Sequence, residues 1–174
     1  DLDWDLIYRQ RVFGLSHCGV PFRFHLLDDL ALDNMPEFKC YLFLNQFHMT
    51  TEKEALIREK VFRDGKTAIW MIAPGFCHET EGLSLESMTR LTGLNFRKFD
   101  FASEQWTTLS DFTHPITQGL DFDTTFGSNA RVGPTFFVRD AEATVLGKRL
   151  LFQGQHEPAL VVKEFGAHRS IYSA

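Results

Sequence analysis

Cysteine is scarce. The 174 residues hold three, Cys18, Cys40 and Cys77, too few for a disulfide framework. No two stand in a CxxC pair, which excludes a zinc knuckle and a thioredoxin-type redox site. Three buried thiols are expected, with one bridge and a spare thiol as the alternative. Seven histidines (17, 25, 48, 78, 114, 156 and 168) form no HxxxH or HExxH pattern, so no metal site is expected. No G-x-G-x-x-G follows a strand-like run and no GxxxxGK[ST] occurs. Dinucleotide and phosphate-loop binding are thereby disfavoured, and no cofactor is expected. No apolar run reaches the roughly 18 residues of a membrane span, and no signal-peptide pattern is visible. No Lys/Arg run exceeds two and the formal net charge is −5, so nucleic acid is not an expected partner.

What the chain does have is an ordinary globular apolar content and 18 phenylalanines. These supply large core-filling rings and raise the expectation of an apolar patch meant for a partner. The length suits one domain, spanning 1–174, with a βα core over 1–101 and a loop-rich, β-forming part over 102–174.

Local patterns set the expected elements. Trp4, Ile7, Tyr8, Val12 and Leu15 recur near helical spacing and predict a helix over 3–15, stopped at Gly19 and Pro21. Residues 21–27 read as a strand closed by Asp28 and Asp29. Cys40–Leu44 is a nearly continuous apolar run, the texture of a strand buried on both faces. Thr51 as N-cap, Glu54 completing a capping box and Gly65 at C′ predict a helix at 52–63. Thr67–Ala73 is the next buried strand, closed by Pro74-Gly75. Ser84 caps a helix at 85–92, with Leu83 and Met88 placed for a hydrophobic staple and Gly93 as its end. Asn95–Phe101 is a further strand.

Strands separated by capped helices predict a mostly parallel sheet with helical crossovers. Beyond residue 101, Pro115, Gly119, Gly127, Gly133 and Pro134 punctuate the chain. Short strands follow at 135–138, 144–146, 159–165 and 170–172, expected as a small, partly antiparallel addition at one sheet edge. Doubly wound sheets normally begin on a strand, and this chain begins on a helix. A first strand is therefore expected upstream of residue 1, its place in the sheet empty or filled by another segment.

Ligands of open α/β sheets bind beyond the carboxyl ends of the strands. The candidates there are Asp28, Asp29, Asn45, Gly75, Phe76 and Trp106. Asp28 and Asp29 suit an acid/base or metal pair, but more simply cap a turn. Cys77-His78-Glu79 has the residue types of a nucleophile, base and acid. Adjacent side chains diverge, however, and Phe76 and His78 are bulky flanks for a nucleophile elbow. No catalytic residue is assigned, and Cys77 is kept as the one candidate nucleophile. Trp70 and Trp106 could stack on a sugar ring. Trp70 falls in a buried strand, and Trp106, in the loop-rich part, is the better candidate. Gln153-Gly154-Gln155-His156-Glu157 reads as a surface loop or contact site.

Several ordered segments resemble a known family. Gly19–Phe22 with Leu26–Leu30, Tyr41–Asn45, Arg63–Thr67 with Trp70 and Ala73–Gly75, and Ser84–Met88 with Leu91–Gly93 resemble the amidotransferase-like domain of large β-galactosidase-type glycoside hydrolases. His114–Thr117, Gly119-Leu120, Val145–Gly147 and Ala159–Val161 are similar to later parts of that domain. The resemblance implies a flavodoxin-like three-layer α/β/α fold related to class I glutamine amidotransferases. It implies a fragment of a larger protein, whose hydrolytic carboxylates lie in another domain, and an accessory or oligomerisation role, the related domain of family 42 β-galactosidases being one that mediates trimerisation. Expected partners are then other domains of the parent chain, further copies in a homo-oligomer, and carbohydrate. The Gly-flanked cysteine elbow of amidotransferases has no counterpart in Ala73-Pro74-Gly75-Phe76. The expected function is a non-catalytic accessory domain, with a Cys77 hydrolase or a carbohydrate-binding module as alternatives.

Overall fold

The computed structural model describes residues 4–151 and 154–174. Residues 1–3, where the first helix was expected to begin, and Gln153 lie outside that range. The chain is a mixed α/β domain with one large sheet and few helices.

The first helix forms, but as a wide π-type winding over Trp4–Gly14 followed by a 3-10 turn at Leu15–His17. It rests lightly on the body: Leu6 is buried, while Trp4, Ile7, Tyr8 and Val12 are exposed. The expected strand at 21–27 is not one. Pro21–Leu26 joins no sheet, and Leu27–Ala31 is a 3-10 turn. Asp29 explains the turn, since its carboxylate accepts the Leu26 N–H at 3.0 Å and so caps the turn's start.

The sheet is built on β1 (Cys40–Phe43) and β3 (Lys66–Met71), which pair in parallel. Between them lie β2 (His48–Met49) and α1 (Thr51–Lys60). The N-cap of α1 is Thr50 rather than Thr51: its hydroxyl accepts the Lys53 N–H at 3.2 Å. The capping box therefore does not form, and Glu54 is free to turn inward. Gly65 is not the helix C′ residue either. The helix ends at Lys60, and Gly65 (φ +69°) serves the tight turn into β3. Beyond β3 come β4 (Cys77–His78) and β5 (Gly82–Leu83), then α2 (Leu85–Thr92), which starts and stops as its sequence predicts. Ser84 Oγ accepts the Ser87 N–H at 3.0 Å, and Gly93 ends the helix at φ +74°. The staple is absent, because Leu83 is 72 % exposed while Met88 is wholly buried.

The remaining strands are β6 (Phe96–Phe99), β7 (Ser103–Glu104), β8 (Thr107–Leu109), β9 (Thr125–Phe126), β10 (Arg131–Val132), β11 (Thr135–Val138), β12 (Thr144–Leu150), β13 (His156–Glu164) and β14 (His168–Ser173). The seven-stranded sheet runs β1-β3-β14-β13-β12-β8-β9. The β1–β3 and β3–β14 pairs are parallel, and the other four are antiparallel. Within this sheet, parallel pairing is thus confined to the β1 side, and a further parallel pair, β2 with β4, lies in a separate small sheet. The C-terminal β part is not a small addition: it supplies β8, β9, β12, β13 and β14. β6 leaves the main sheet and pairs with β11 in a separate antiparallel ribbon.

β1 is an edge strand. Its pattern of one buried residue in four departs from the expected burial on both faces. The core lies instead around β3 and β14. Trp70 is fully buried, stacks on Phe43 at 4.3 Å, and donates its indole N–H to Ser170 Oγ at 2.8 Å. Tyr172, also fully buried, donates its hydroxyl to the Ile72 and Phe136 carbonyl oxygens at 2.6 and 3.0 Å. All three cysteines are free thiols. Cys18 and Cys40 are exposed and Cys77 is half-buried, against the expectation of three buried thiols.

Candidate functional site

The sheet end where β1 and β3 finish is closed by backbone. The Gly75 N–H donates to the Gln46 carbonyl at 2.8 Å, and Ser87 Oγ donates to the Gly75 carbonyl at 2.8 Å. A Cβ on Gly75 would meet Leu91 at 2.9 Å, and φ is +69°, so glycine suits both the turn and the contact. Phe76 packs inward on Phe136 at 4.7 Å. Asp28 pairs with Lys53 at 3.1 Å, and Asp29 faces His25 at 3.5 Å besides capping its turn. Asn45 borders an apolar cavity of about 390 Å³ between the N-terminal segment and β1. Phe22, Phe24, Leu26, Leu42 and Phe43 form much of its wall. Gly75, Phe76, Asp28 and Asp29 do not border that cavity, and Trp106 lines a different one. The strand-end candidates are therefore dispersed.

Cys77, His78 and Glu79 take three separate sets of partners. The Cys77 N–H donates to the Phe47 carbonyl, and its thiol is free. His78 is buried: Nδ1 lies 3.1 Å from Thr80 Oγ1, and Nε2 lies 3.6 Å from Glu54. Glu79 accepts the Thr51 N–H at 2.7 Å, at the start of α1, and this bond holds its carboxyl below the usual range. Glu54 is the centre of a clip between helices. Arg90 of α2 grips it with two N–H donors, at 2.9 and 3.1 Å, and reaches Glu81 at 2.7 Å. This cluster went unseen in the sequence because Glu54 was assigned to a cap. Its ion pairs join α1, α2 and the β4–β5 turn.

The second cavity, about 360 Å³, has a different chemistry. Ser103 and Glu104 of β7, Trp106, Arg131 of β10 and Arg149 of β12 line it, with Leu150 and Leu151. Arg149 is 2 % exposed. Its Nη2 donates to the Ala174 carbonyl at 2.6 Å and its guanidinium lies 5.5 Å from the Phe137 ring centre. Burial pushes its pKa down to about 10, so it remains a cation at neutral pH. Its Nε and the Ser103 hydroxyl are buried without hydrogen-bond partners among the described residues. Trp106 is 40 % exposed, and its indole N–H donates to Asn129 Oδ1 at 2.8 Å, which fixes the ring.

Arg149 was invisible to strand reading because β12 was expected to end at Leu146. The strand continues to Leu150 through two register shifts: Val145 pairs with Val161 and Gly147 with Leu160, leaving Leu146 extra on β12, and Lys148 then pairs with Pro158, leaving Ala159 extra on β13. Such a bulge changes which side chains face inward. Gly147 and Arg149 are buried while Lys148 and Leu150 are exposed.

The fold so defined is a mixed α/β domain with an edge-open sheet. It is similar to part of a β-galactosidase from Bacillus circulans sp. alkalophilus, with a TM-score of 0.56 and 16% sequence identity over 79% of this chain and 20% of that one. A thua-like protein from Bacteroides uniformis ATCC 8492 aligns over 78% of this chain and 59% of its own, at 11% identity and a TM-score of 0.47. The chain thus spans one-fifth of the β-galactosidase and less than two-thirds of the thua-like protein. No protein-family model and no curated protein matches it.

Proposed function

We propose that this domain is a non-catalytic accessory module of a larger, β-galactosidase-like glycoside hydrolase, contacting other domains of its parent chain or further copies of itself. The fold similarity to one-fifth of a β-galactosidase chain carries the reading. Two features of the molecule support it. Cys77, His78 and Glu79 are committed to separate surroundings, so their side chains do not form a relay. The edge strand β1 and the apolar cavity beside it leave Phe22, Phe24, Leu26 and Leu42 exposed. Apolar surface of that kind is more usual at an interface than on a free monomer.

On this proposal the domain is a reduced relative of the flavodoxin-like, class I amidotransferase-like sandwich. The parallel β1–β3–β14 unit would be its retained part and the antiparallel strands its elaboration. The decisive experiment takes the full reading frame of the parent protein and removes residues 1–174. Light scattering and galactoside hydrolysis are then compared with the intact protein. A smaller assembly or lost activity is expected, and an unchanged assembly with unchanged hydrolysis would overturn the accessory role.

A further inference from the structure

We propose that the cavity walled by Ser103, Glu104, Trp106, Arg131 and Arg149 binds a sugar acid of the hexuronate type, its carboxylate held by Arg149 and Ser103 and its ring laid on Trp106. Arg149 is the starting observation. A guanidinium 2 % exposed is normally paired with a carboxylate, because an uncompensated buried charge is costly. Among the described residues it forms no ion pair. Buried Glu157 stands opposite it across the β12–β13 ladder without reaching it as an ion pair: its Oε1 is engaged by Arg139 at 2.8 Å, and its Oε2 has no hydrogen-bond partner among the described residues. The Ala174 carbonyl and the Phe137 ring satisfy part of the guanidinium and supply no full negative charge.

Arg149 and Ser103 both line this cavity, and the Arg149 Nε–H and the Ser103 O–H are buried donors without acceptors among the described residues. A carboxylate presents two acceptor oxygens and would satisfy both, through charge-assisted bonds on the arginine side. The remaining walls select what carries that carboxylate. Glu104 offers acceptors and repels a second anion, so the ligand must bring O–H donors. Arg131 spends one N–H on the Ala102 carbonyl at 3.1 Å and has others to give to hydroxyl oxygens. Trp106 presents a fixed, part-exposed aromatic face, a surface for the C–H side of a ring. A polyhydroxylated ring with one carboxylate meets all four requirements. The volume of about 360 Å³ falls within the roughly 300–1,000 Å³ of small-ligand sites.

The test titrates the 174-residue chain with glucuronate or galacturonate, with glucose or galactose, and with acetate, following tryptophan fluorescence and calorimetric heat. Saturable binding of a uronate is expected. The matched neutral sugar and acetate should each bind at least about tenfold more weakly, the ratio that one charge-assisted contact supplies. Ser103→Ala should weaken uronate binding about tenfold with the melting temperature unchanged, and Trp106→Ala should remove the fluorescence response. Arg149→Gln should abolish binding. Should that variant fail to fold, the Ser103 and Trp106 variants decide. Equal affinity for uronate and neutral sugar, equal affinity for uronate and acetate, full binding by Trp106→Ala, or no saturation at tens of millimolar uronate would each overturn the proposal.

Discussion

Single residues decide more here than the helices do. Trp70 and Tyr172 reach partners a hundred positions away in sequence, Ser170 and Ile72 respectively. Tyr172→Phe keeps the ring and leaves two buried carbonyls without their shared donor. A loss of about 1–3 kcal/mol is expected from urea unfolding. His168 supplies a pH-dependent contribution. Its ring is sandwiched between Phe62, at 4.2 Å, and Phe165, at 4.7 Å. Burial, with Arg58 adding to it and Glu164 opposing, holds the imidazole below its ordinary value. The unfolded chain therefore takes up a proton more readily than the folded one. Stability should be full above the ordinary histidine pKa of about 6.5, fall as the pH drops below it, and level off beneath the folded value. Thermal melts of wild type and His168→Phe between pH 5 and pH 8 check this, the variant showing the flatter profile. Cys77 is expected to be chemically dispensable. Cys77→Ser should leave any activity of the parent protein unchanged.

At the scale of elements, the Glu54–Arg90 clip fixes α1 against α2. Glu54→Ala should destabilise the domain by less than the about 3–5 kcal/mol of a fully buried pair, because Arg90 is 39 % exposed and solvent screens its side. Chemical denaturation measures this directly. Gly93→Ala should cost more than the usual ~1 kcal/mol of a disfavoured backbone. The added Cβ would run into the Phe165 ring, and alanine would have to adopt the disfavoured φ of +74°. Elements with caps were legible in sequence: α2 begins and ends where Ser84 and Gly93 place it, and β3 follows its apolar run. Elements without local markers were not. Residues 21–26 alternate like a strand yet find no partner, since strand pairing is a tertiary event. The capping position slipped by one residue to Thr50, because two adjacent threonines offer the same chemistry. That slip hid Glu54, and the bulge in β12 hid Arg149. Trp106 alone of the anticipated ligand contacts sits in a cavity with unsatisfied polar groups.

At the scale of the whole molecule, the sequence order misleads about the sheet. Helix-separated strands predict a parallel array, but β6 leaves it and β14 returns to pair beside β3. Contacts of high sequence separation leave no local trace, so this topology could not be inferred from periodicity. Acid sensitivity should also appear at this scale. Asp140 links the end of β11 to β13 through Lys163 at 3.0 Å, and to the Asn95 N–H at 3.3 Å. Burial works against its charge. The Lys163 ammonium and the N–H groups of Glu142 and Asn95 outweigh it and hold the carboxyl below the usual range. Its contribution is therefore present above the ordinary aspartate pKa of about 4 and lost as the pH falls through the lower folded value. Asp140→Asn should flatten the acid limb of a denaturation curve.

The placement of β14 has a consequence in time. A ribosome makes β1 and β3 early and β14 near the end of this stretch, yet β14 stands between β3 and β13 in space. Until residues 168–173 have emerged, the parallel pair and the antiparallel strands share no seam, and the flank of β3 stays bare. Closure of this sheet therefore waits on its last strand, like an arch on its final stone.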